Sequence, residues 1–167
     1  MNLGTKIELD LMSSLAKAGC NVKRSNSFFD HLKVDCFLEN IVEGELQLTA
    51  VQITTWIGKA DKFVSWANLM RSCMYSDFCL YIEIDSGINK ITEQIGKALF
   101  QVIQEEVWSN PDKKFHVLRV FSDRIEVVNF DNYYETMSRA LRYESKNTIS
   151  FKDDFDQSFL KGASLWS

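Results

Sequence analysis

The stretch that decides the fold is KVDCFLENIVEGELQLTAVQITT, residues 33–55. Two runs rich in β-branched, aromatic and other apolar residues, 32–38 and 46–55, are typical of strands. The segment between them carries Gly44 between two glutamates, and a glycine at this point favours a tight connection. The stretch therefore predicts two neighbouring strands joined as a hairpin.

Polar residues interrupt both predicted strands. Asp35 is an acid inside the first apolar strand, and Gln52 and Thr54 stand two residues apart in the second. Side chains at this spacing leave the same face of a strand, which predicts a polar site on a sheet face. An ordinary structural role fits the same residues, with Asp35 at a solvent-facing edge and Gln52 and Thr54 on a half-buried strand.

Elements on both sides of this hairpin complete an α/β (α+β) fold. Apolar residues at helical spacing predict helices over residues 3–18, 60–74, 88–108 and 131–144. Shorter β-rich runs predict strands over residues 20–26, 115–121 and 124–130. The near-continuous apolar run at residues 78–84 predicts a central strand that is buried on both faces. We therefore expect a mixed central sheet flanked by helices.

The composition is that of an ordinary globular protein. The chain has 167 residues, of which 46% are hydrophobic and 25% charged. This predicts one domain over residues 1–144 and a polar tail, 145–167, that packs on the same domain or is partly flexible. No apolar run approaches the roughly 20 residues that a membrane span needs. Acids near the start of the chain do not fit a signal peptide, so we expect a cytoplasmic protein without a membrane partner.

The cysteines, histidines and tryptophans favour structural roles. The four cysteines are scattered, which favours buried thiols, and His31 and His116 lack the ligand spacing of a zinc site. Trp56 and Trp66 flank the start and middle of the predicted helix 60–74. We expect both to be core aromatics, with base stacking as the alternative.

The net charge of −4 bears on the kind of partner. Non-specific nucleic-acid binding favours a basic surface, so an acidic balance lowers that expectation and raises the expectation of a basic partner. The sequence contains no phosphate-binding loop, dinucleotide fingerprint or Gly-x-Ser-x-Gly motif.

The order helix, strand, strand, strand, helix, strand over about residues 5–85 resembles the core of the PD-(D/E)XK, or restriction-endonuclease-like, superfamily. In that family a helix glutamate, a strand aspartate and an acid two residues before a lysine surround a divalent metal. Residue by residue, Glu8 matches the helix acid and Asp35 the aspartate, while Gln52 stands at the second acid and Thr54 at the lysine. The extension beyond the core is predicted to be a helix, a hairpin and a helix.

The resemblance implies a Mg²⁺-dependent nuclease, but two positions depart from the pattern. Asp35 and Gln52 would hold the metal weakly because the amide brings no charge. Thr54 lacks the charge of the lysine, which Lys59 or Lys62 could supply from the next helix. Glu8 could instead be a solvated helix charge. Two hypotheses follow: a nuclease-fold protein of defence or mobile-element type that acts on or binds nucleic acid, or a non-enzymatic immunity or inhibitor protein that binds a basic partner such as a toxin.

Overall fold

The computed structural model describes residues 2–72 and 75–158 of the chain, with the side chains of Asp30 and of residues 145–158 left aside. Within these residues one six-stranded sheet has the order β1-β2-β3-β4-β5-β6. The strands are β1 Asn21–Arg24, β2 Cys36–Val42, β3 Glu45–Thr54, β4 Phe78–Ile84, β5 Phe115–Val120 and β6 Ile125–Val128. The helices are α1 Leu3–Lys17, α2 Ser27–His31, α3 Ala60–Arg71, α4 Glu93–Val102, which continues into a π-helical turn, Ile103–Val107, and α5 Phe130–Ser158.

The sheet is mixed. The strands β3, β4 and β5 are parallel, whereas β1, β2 and β3 form an antiparallel series and β6 is antiparallel to β5. The connections between the parallel strands pass through α3 and α4, as parallel pairing requires. The predicted mixed sheet with flanking helices is confirmed, and so is the order of elements, to which the structure adds the short helix α2.

Strand β4 lies at the centre of the sheet and is buried over its whole length. Helices cover both of its faces, which explains why its sequence is a continuous apolar run rather than an alternating one. The prediction of a central strand at this position is confirmed.

Two hydrophobic cores lie on opposite faces of the sheet. On one face α1 and α4 cover the strands, with Ile7, Leu11 and Leu99 fully buried. On the other face α3 and α5 pack together, with Phe63 and Trp66 fully buried. None of the helices in the described part of the chain is long and apolar enough to cross a membrane.

The predicted start of the second strand is wrong. Residues 32–35 were expected to be extended, but β2 begins at Cys36, so Asp35 lies just before the strand and not inside it. The reason is local: the Asn26 side chain accepts a hydrogen bond from the Phe29 N–H, and a helical turn forms over residues 27–31. Lys33 then adopts a left-handed conformation with φ 59°, which a strand does not accommodate.

The hairpin between β2 and β3 is confirmed. Glu43 and Gly44 both have positive φ, at 53° and 81°. Two such residues in succession form the tight turn whose twist matches that of the adjoining strands.

Helix boundaries differ from the prediction at three places, and at the first of them α3 ends at Arg71 where residue 74 was expected. The helix expected from residue 88 begins at Glu93, because the Thr92 side chain caps it by accepting a hydrogen bond from the Ile95 N–H. The helix expected to end at residue 144 continues to Ser158.

The cysteines that can be placed behave as expected. Cys20, Cys36 and Cys79 are buried as thiols. Cys73 and the end of the tail, residues 159–167, lie outside the described residues.

Candidate functional site

The topology brings several polar residues to one edge of the sheet. The parallel strands β3, β4 and β5 end on the same side, and β2, which is antiparallel to β3, begins there. We call this side the carboxyl edge, defined by Asp35, Thr54, Glu83 and Arg119. In open sheets with parallel strands this side is where ligands usually bind.

Asp35 is held against β3 by two hydrogen bonds. Its backbone N–H donates to the Val51 carbonyl at 2.7 Å, and its carboxylate Oδ2 accepts from the Ile53 N–H at 2.7 Å. Cys36 pairs with Val51, so the next position of the register sets Asp35 beside Gln52. The structure therefore brings these two predicted site residues together, and Asp35 is half-buried and not on an edge strand.

Gln52 and Thr54 are both buried, with 8% and 2% of their surface exposed. The Gln52 amide oxygen, Oε1, has no hydrogen-bond partner within the described residues. The amide oxygen of Gln47, on the same strand, has no partner among these residues either. At the carboxyl edge, a buried amide oxygen without a partner is available as a ligand for a hard cation or as an acceptor for a bound group. The Thr54 hydroxyl accepts a hydrogen bond from the Trp56 N–H at 3.2 Å, so it orders the chain where β3 ends.

Glu8 approaches the same edge from the other side. It is half-buried on α1, one turn beyond Gly4, and a Cβ added at Gly4 would lie 3.5 Å from the Thr55 hydroxyl. However, α1 packs on the face of the sheet that carries Ile53, whereas Gln52 points to the opposite face. The start of α1 thus lies near the end of β3, with Glu8 and Gln52 on different sides of the sheet.

The two lysines proposed as substitutes for the missing cation begin α3. Lys59 occupies the N-cap position, and its Nζ lies 4.0 Å from the centre of the Trp56 ring and 3.7 Å from an Asp61 carboxylate oxygen. Lys62 is half-buried in the first turn of the helix. Since α3 starts just after β3 ends, both lysines are near the carboxyl edge, and the Lys59 ammonium is engaged with Trp56 and Asp61.

The sequence analysis missed a buried polar network at this edge. Glu83 on β4 has no exposed surface, and it faces Thr54 on one side and Arg119 on the other. Its carboxylate accepts hydrogen bonds from Arg119 Nε at 2.7 Å, the Tyr133 hydroxyl at 2.5 Å and the Gly58 N–H at 3.1 Å. One signal was visible in the sequence, because Glu83 is the single charged residue in the apolar run of β4.

Charge and burial set the protonation of the groups around Glu83. Burial lowers the pKa of the Arg119 guanidinium, but its hydrogen bonds with Glu83 and Tyr133 outweigh burial and raise it above the ordinary value. Burial, and then the hydrogen bond with Glu83, raise the pKa of Tyr133 to about 12. At neutral pH Tyr133 is therefore a hydrogen-bond donor to Glu83, and Arg119 remains charged.

Trp56 was expected in the core, and this expectation is wrong. Its side chain is 60% exposed on the loop between β3 and α3, whereas Trp66 is fully buried as predicted. The chain turns at Gly58, which has φ 78°, and the Gly58 N–H is tied to Glu83. This turn carries Trp56 outside the sheet instead of under α3.

Two oxygen donors lie at the carboxyl edge. Asp35 offers a carboxylate and Gln52 an unpartnered amide oxygen, and both are the oxygen ligands that Mg²⁺ prefers. Across the residues that the structure describes, no three or more His, Cys, Asp or Glu side chains cluster in a way that could hold a metal ion. Comparisons with models of protein families, with curated proteins and with solved structures found no match for this chain.

Proposed function

We propose that this chain is a nuclease-fold protein of defence or mobile-element type that binds nucleic acid at the carboxyl edge, with a weakened divalent-metal site. The observation that carries the proposal is the placement of Asp35 beside Gln52, whose buried amide oxygen has no partner among the described residues. In a purely structural strand, a buried amide oxygen normally has a hydrogen-bond partner.

The topology supports the proposal by analogy. Three antiparallel strands preceded by α1, then α3 and a parallel strand, follow the order expected for a restriction-endonuclease-like core. Fold-level analogy is an association and needs the chemistry of the site beside it.

The chemistry of the site favours binding over cleavage. A bound Mg²⁺ would supply Lewis-acid stabilisation and an activated water. Asp35 and Gln52 would hold it with a single negative charge, which predicts weak occupancy. At Thr54 the hydroxyl is engaged with the backbone of Trp56 and brings no positive charge. The loss of one such electrostatic group typically lowers a rate by about 10²–10³.

Metal binding and cleavage can be tested with two matched aspartates. Asp77, just before β4, also accepts a hydrogen bond from a β3 backbone N–H, that of Leu48, but at the opposite end of β3. We expect weak Mg²⁺ binding in titration calorimetry that Asp35→Asn abolishes and Asp77→Asn preserves. Tight binding that survives Asp35→Asn would refute the site.

Cleavage separates the proposed binding protein from an active nuclease. We expect little or no cleavage of plain duplex DNA at physiological Mg²⁺ by the wild type. Robust cleavage that requires Asp35 and is lost in Lys59→Ala/Lys62→Ala would establish a nuclease with a migrated lysine. Absence of any binding to DNA or RNA, with or without Mg²⁺, would refute the nucleic-acid function.

A second candidate function, binding of a basic protein, is favoured by the other end of the hairpin. The residues 40–47 extend beyond the positions where β2 pairs with β1 and β3 pairs with β4, and we call them the ribbon. In the ribbon Ile41, Val42 and Leu46 are 65%, 40% and 51% exposed, and Ile41 lies opposite Leu46. Neighbouring acids accompany them: Glu39, Glu43 and Glu45.

The charge of the ribbon defines the partner. An exposed apolar pair surrounded by glutamates is complementary to an apolar cleft with a rim of lysine and arginine. A second copy of this chain would bring like charges together, which disfavours self-association through the ribbon. An immunity or inhibitor protein that binds a basic toxin would use such a surface.

The ribbon can be tested with variants of exposed residues. A basic protein identified from a capture experiment is purified and titrated against the wild type, Ile41→Ser/Leu46→Ser and Val127→Ser, a control at an equally exposed position of β6. We expect affinity that weakens with salt and is lost only in the ribbon variant. Equal affinity of all three proteins would remove this candidate. A cytoplasmic location is part of either proposal, and buried thiols such as Cys20 and Cys36 suit a reducing compartment.

A further inference from the structure

An exposed tryptophan stands at the carboxyl edge. Trp56 follows Thr54 by two residues, and 60% of its surface is open to solvent. A large aromatic side chain in this position is hydrated in the free protein and gains free energy when a flat apolar group covers it. It follows Gln52 by four residues and lies just past the carboxyl end of β3, the end of the strand at which Asp35 also lies.

The loop that carries Trp56 is fixed at two points. The Trp56 N–H donates to the Thr54 hydroxyl at 3.2 Å, and the Gly58 N–H donates to the buried Glu83 carboxylate at 3.1 Å. Glu83 is in turn held by Arg119 and Tyr133. Because the backbone at Trp56 and at Gly58 is tied to the sheet, a ligand would not need to immobilise the loop.

A cation accompanies the ring. The Lys59 Nζ lies 4.0 Å from the ring centre, and the largely exposed Asp61 carboxylate, at 3.7 Å, is the acid that pairs with it. Lys59 is half-buried, but Asp61 is largely open to water, so water screens the pair and another anion can replace the Asp61 carboxylate. The ammonium thus lies over one face of the indole. An exposed aromatic ring together with a lysine is the combination with which proteins bind single-stranded nucleic acid, through base stacking and phosphate contact.

We propose that Trp56 stacks on an unpaired base of single-stranded nucleic acid and that Lys59 contacts the adjacent phosphate. The inference rests on the proposed nucleic-acid function and specifies its substrate class. Bases inside a duplex are already stacked on one another and offer no free face to an indole. Trp56 would therefore select single strands and lead them towards Asp35 and Gln52.

Binding of a fluorescently labelled oligo-dT strand, followed by anisotropy in EDTA at low salt, tests the stacking. We expect Trp56→Ala to weaken binding roughly 5- to 150-fold, the range that follows from the loss of one base–aromatic stack. Tyr143→Ala, which removes an aromatic side chain that is 70% exposed on α5, should bind like the wild type. Binding of Trp56→Ala within twofold of the wild type, or an equal loss of affinity for duplex DNA, would overturn the inference.

Two further measurements separate stacking from general disturbance of the loop. Trp56→Phe keeps a ring, so binding should persist while the quenching of tryptophan fluorescence by the oligonucleotide is lost. Lys59→Gln should reduce the slope of log affinity against log salt by about 0.7, the value for one phosphate of a single strand. The exposed Lys97→Gln on α4 is the control, and its slope should match the wild type.

The outcomes keep this inference apart from the proposed function. If the wild type binds duplex or single strands and both Trp56→Ala and Lys59→Gln bind with the same affinity, only the stacking and the phosphate contact are contradicted. A wild type that binds no nucleic acid contradicts both. Retained oligonucleotide binding in the lysine variant with an unchanged salt slope contradicts the phosphate contact.

Discussion

The network around Glu83 should contribute strongly to stability, which a double-mutant cycle with Arg119 can measure. Glu83 is completely buried, and its carboxylate accepts a hydrogen bond from Arg119 Nε at 2.7 Å. The Arg119 side chain is 23% exposed. The proposed perturbations are Glu83→Leu, Arg119→Met and the combination of both, each of which replaces a charged side chain with an apolar one.

The expected magnitudes follow from what each substitution leaves behind. Arg119→Met leaves a buried carboxylate without its cation, and breaking a buried pair in this way costs about 3–5 kcal/mol. The lower part of this range applies because Tyr133 and Gly58 still donate to Glu83. Glu83→Leu leaves the Tyr133 hydroxyl and the Gly58 N–H without their acceptor. The buried hydroxyl costs about 1–3 kcal/mol, while Arg119 and the exposed Gly58 can still reach water.

The double variant should be less destabilised than the sum of the single variants. It buries no unpaired charge, and apolar replacement of a whole buried pair is often neutral or stabilising. We expect a coupling free energy of about 2–3 kcal/mol, within the range found for residues that share a network. The measurement is urea unfolding at pH 7, followed by tryptophan fluorescence and far-UV circular dichroism.

An exposed ion pair provides the control. Arg124 Nε lies 2.9 Å from Glu126, with both side chains largely exposed, so Arg124→Met should leave the urea midpoint close to that of the wild type. The reasoning is refuted if Arg119→Met lowers the free energy of unfolding by less than about 1 kcal/mol, or if the two single substitutions are additive.

Three further predictions concern other parts of the molecule. Burial lowers the pKa of His116 below its ordinary value of 6.5 despite the opposing hydrogen bond to the Lys113 carbonyl. The unfolded chain therefore binds the proton more readily, so the contribution of His116 to stability should be complete above pH 6.5 and decline below it. Chemical unfolding at several pH values should find this decline reduced in His116→Gln. A Cβ at Gly96 would lie 2.7 Å from the Ser14 carbonyl oxygen. Gly96→Ala should therefore destabilise the protein by about 1–3 kcal/mol in spite of the helix propensity of alanine, because α1 and α4 would be forced apart. An unchanged Tm would show that the two helices are not in such close contact. Burial raises the pKa of Cys20 to about 12, so site-resolved alkylation at pH 8 should modify this thiol only on unfolding, and rapid labelling of the native protein would contradict its burial.

The central strand and the main helices could be read from the sequence because their signals are local. The uninterrupted apolar run of β4 reports burial on both faces, and the spacing of Ile7, Leu11 and Leu15 reports the buried side of α1. Alternation of helices and strands then favours parallel pairing and a mixed sheet. The sequence also predicted Asp35, Gln52 and Thr54 as one polar site on a sheet face, since strand periodicity and a hairpin are sufficient to align them.

Local chemistry already limited the prediction at element boundaries. The capped turn before β2 and the left-handed Lys33 moved Asp35 out of the strand, and apolar character alone does not reveal such a turn. The helix α4 likewise starts at its capped residue, Thr92, and the apolar residues before it, Ile88 and Ile91, are buried without being helical.

Only the tertiary structure decided which polar side chains meet and which aromatic ring stays outside. Glu83 finds Gly58, Arg119 and Tyr133 at separations of 25, 36 and 50 residues, and no pattern within one element encodes such meetings. Whether Trp56 is buried or exposed depends on the direction that the backbone takes at the Gly58 turn, and the hydrogen bond from the Gly58 N–H to Glu83 fixes that turn. Local periodicity determines how much of each element is buried, whereas the pairing of distant polar groups is determined by the register and packing of the whole sheet.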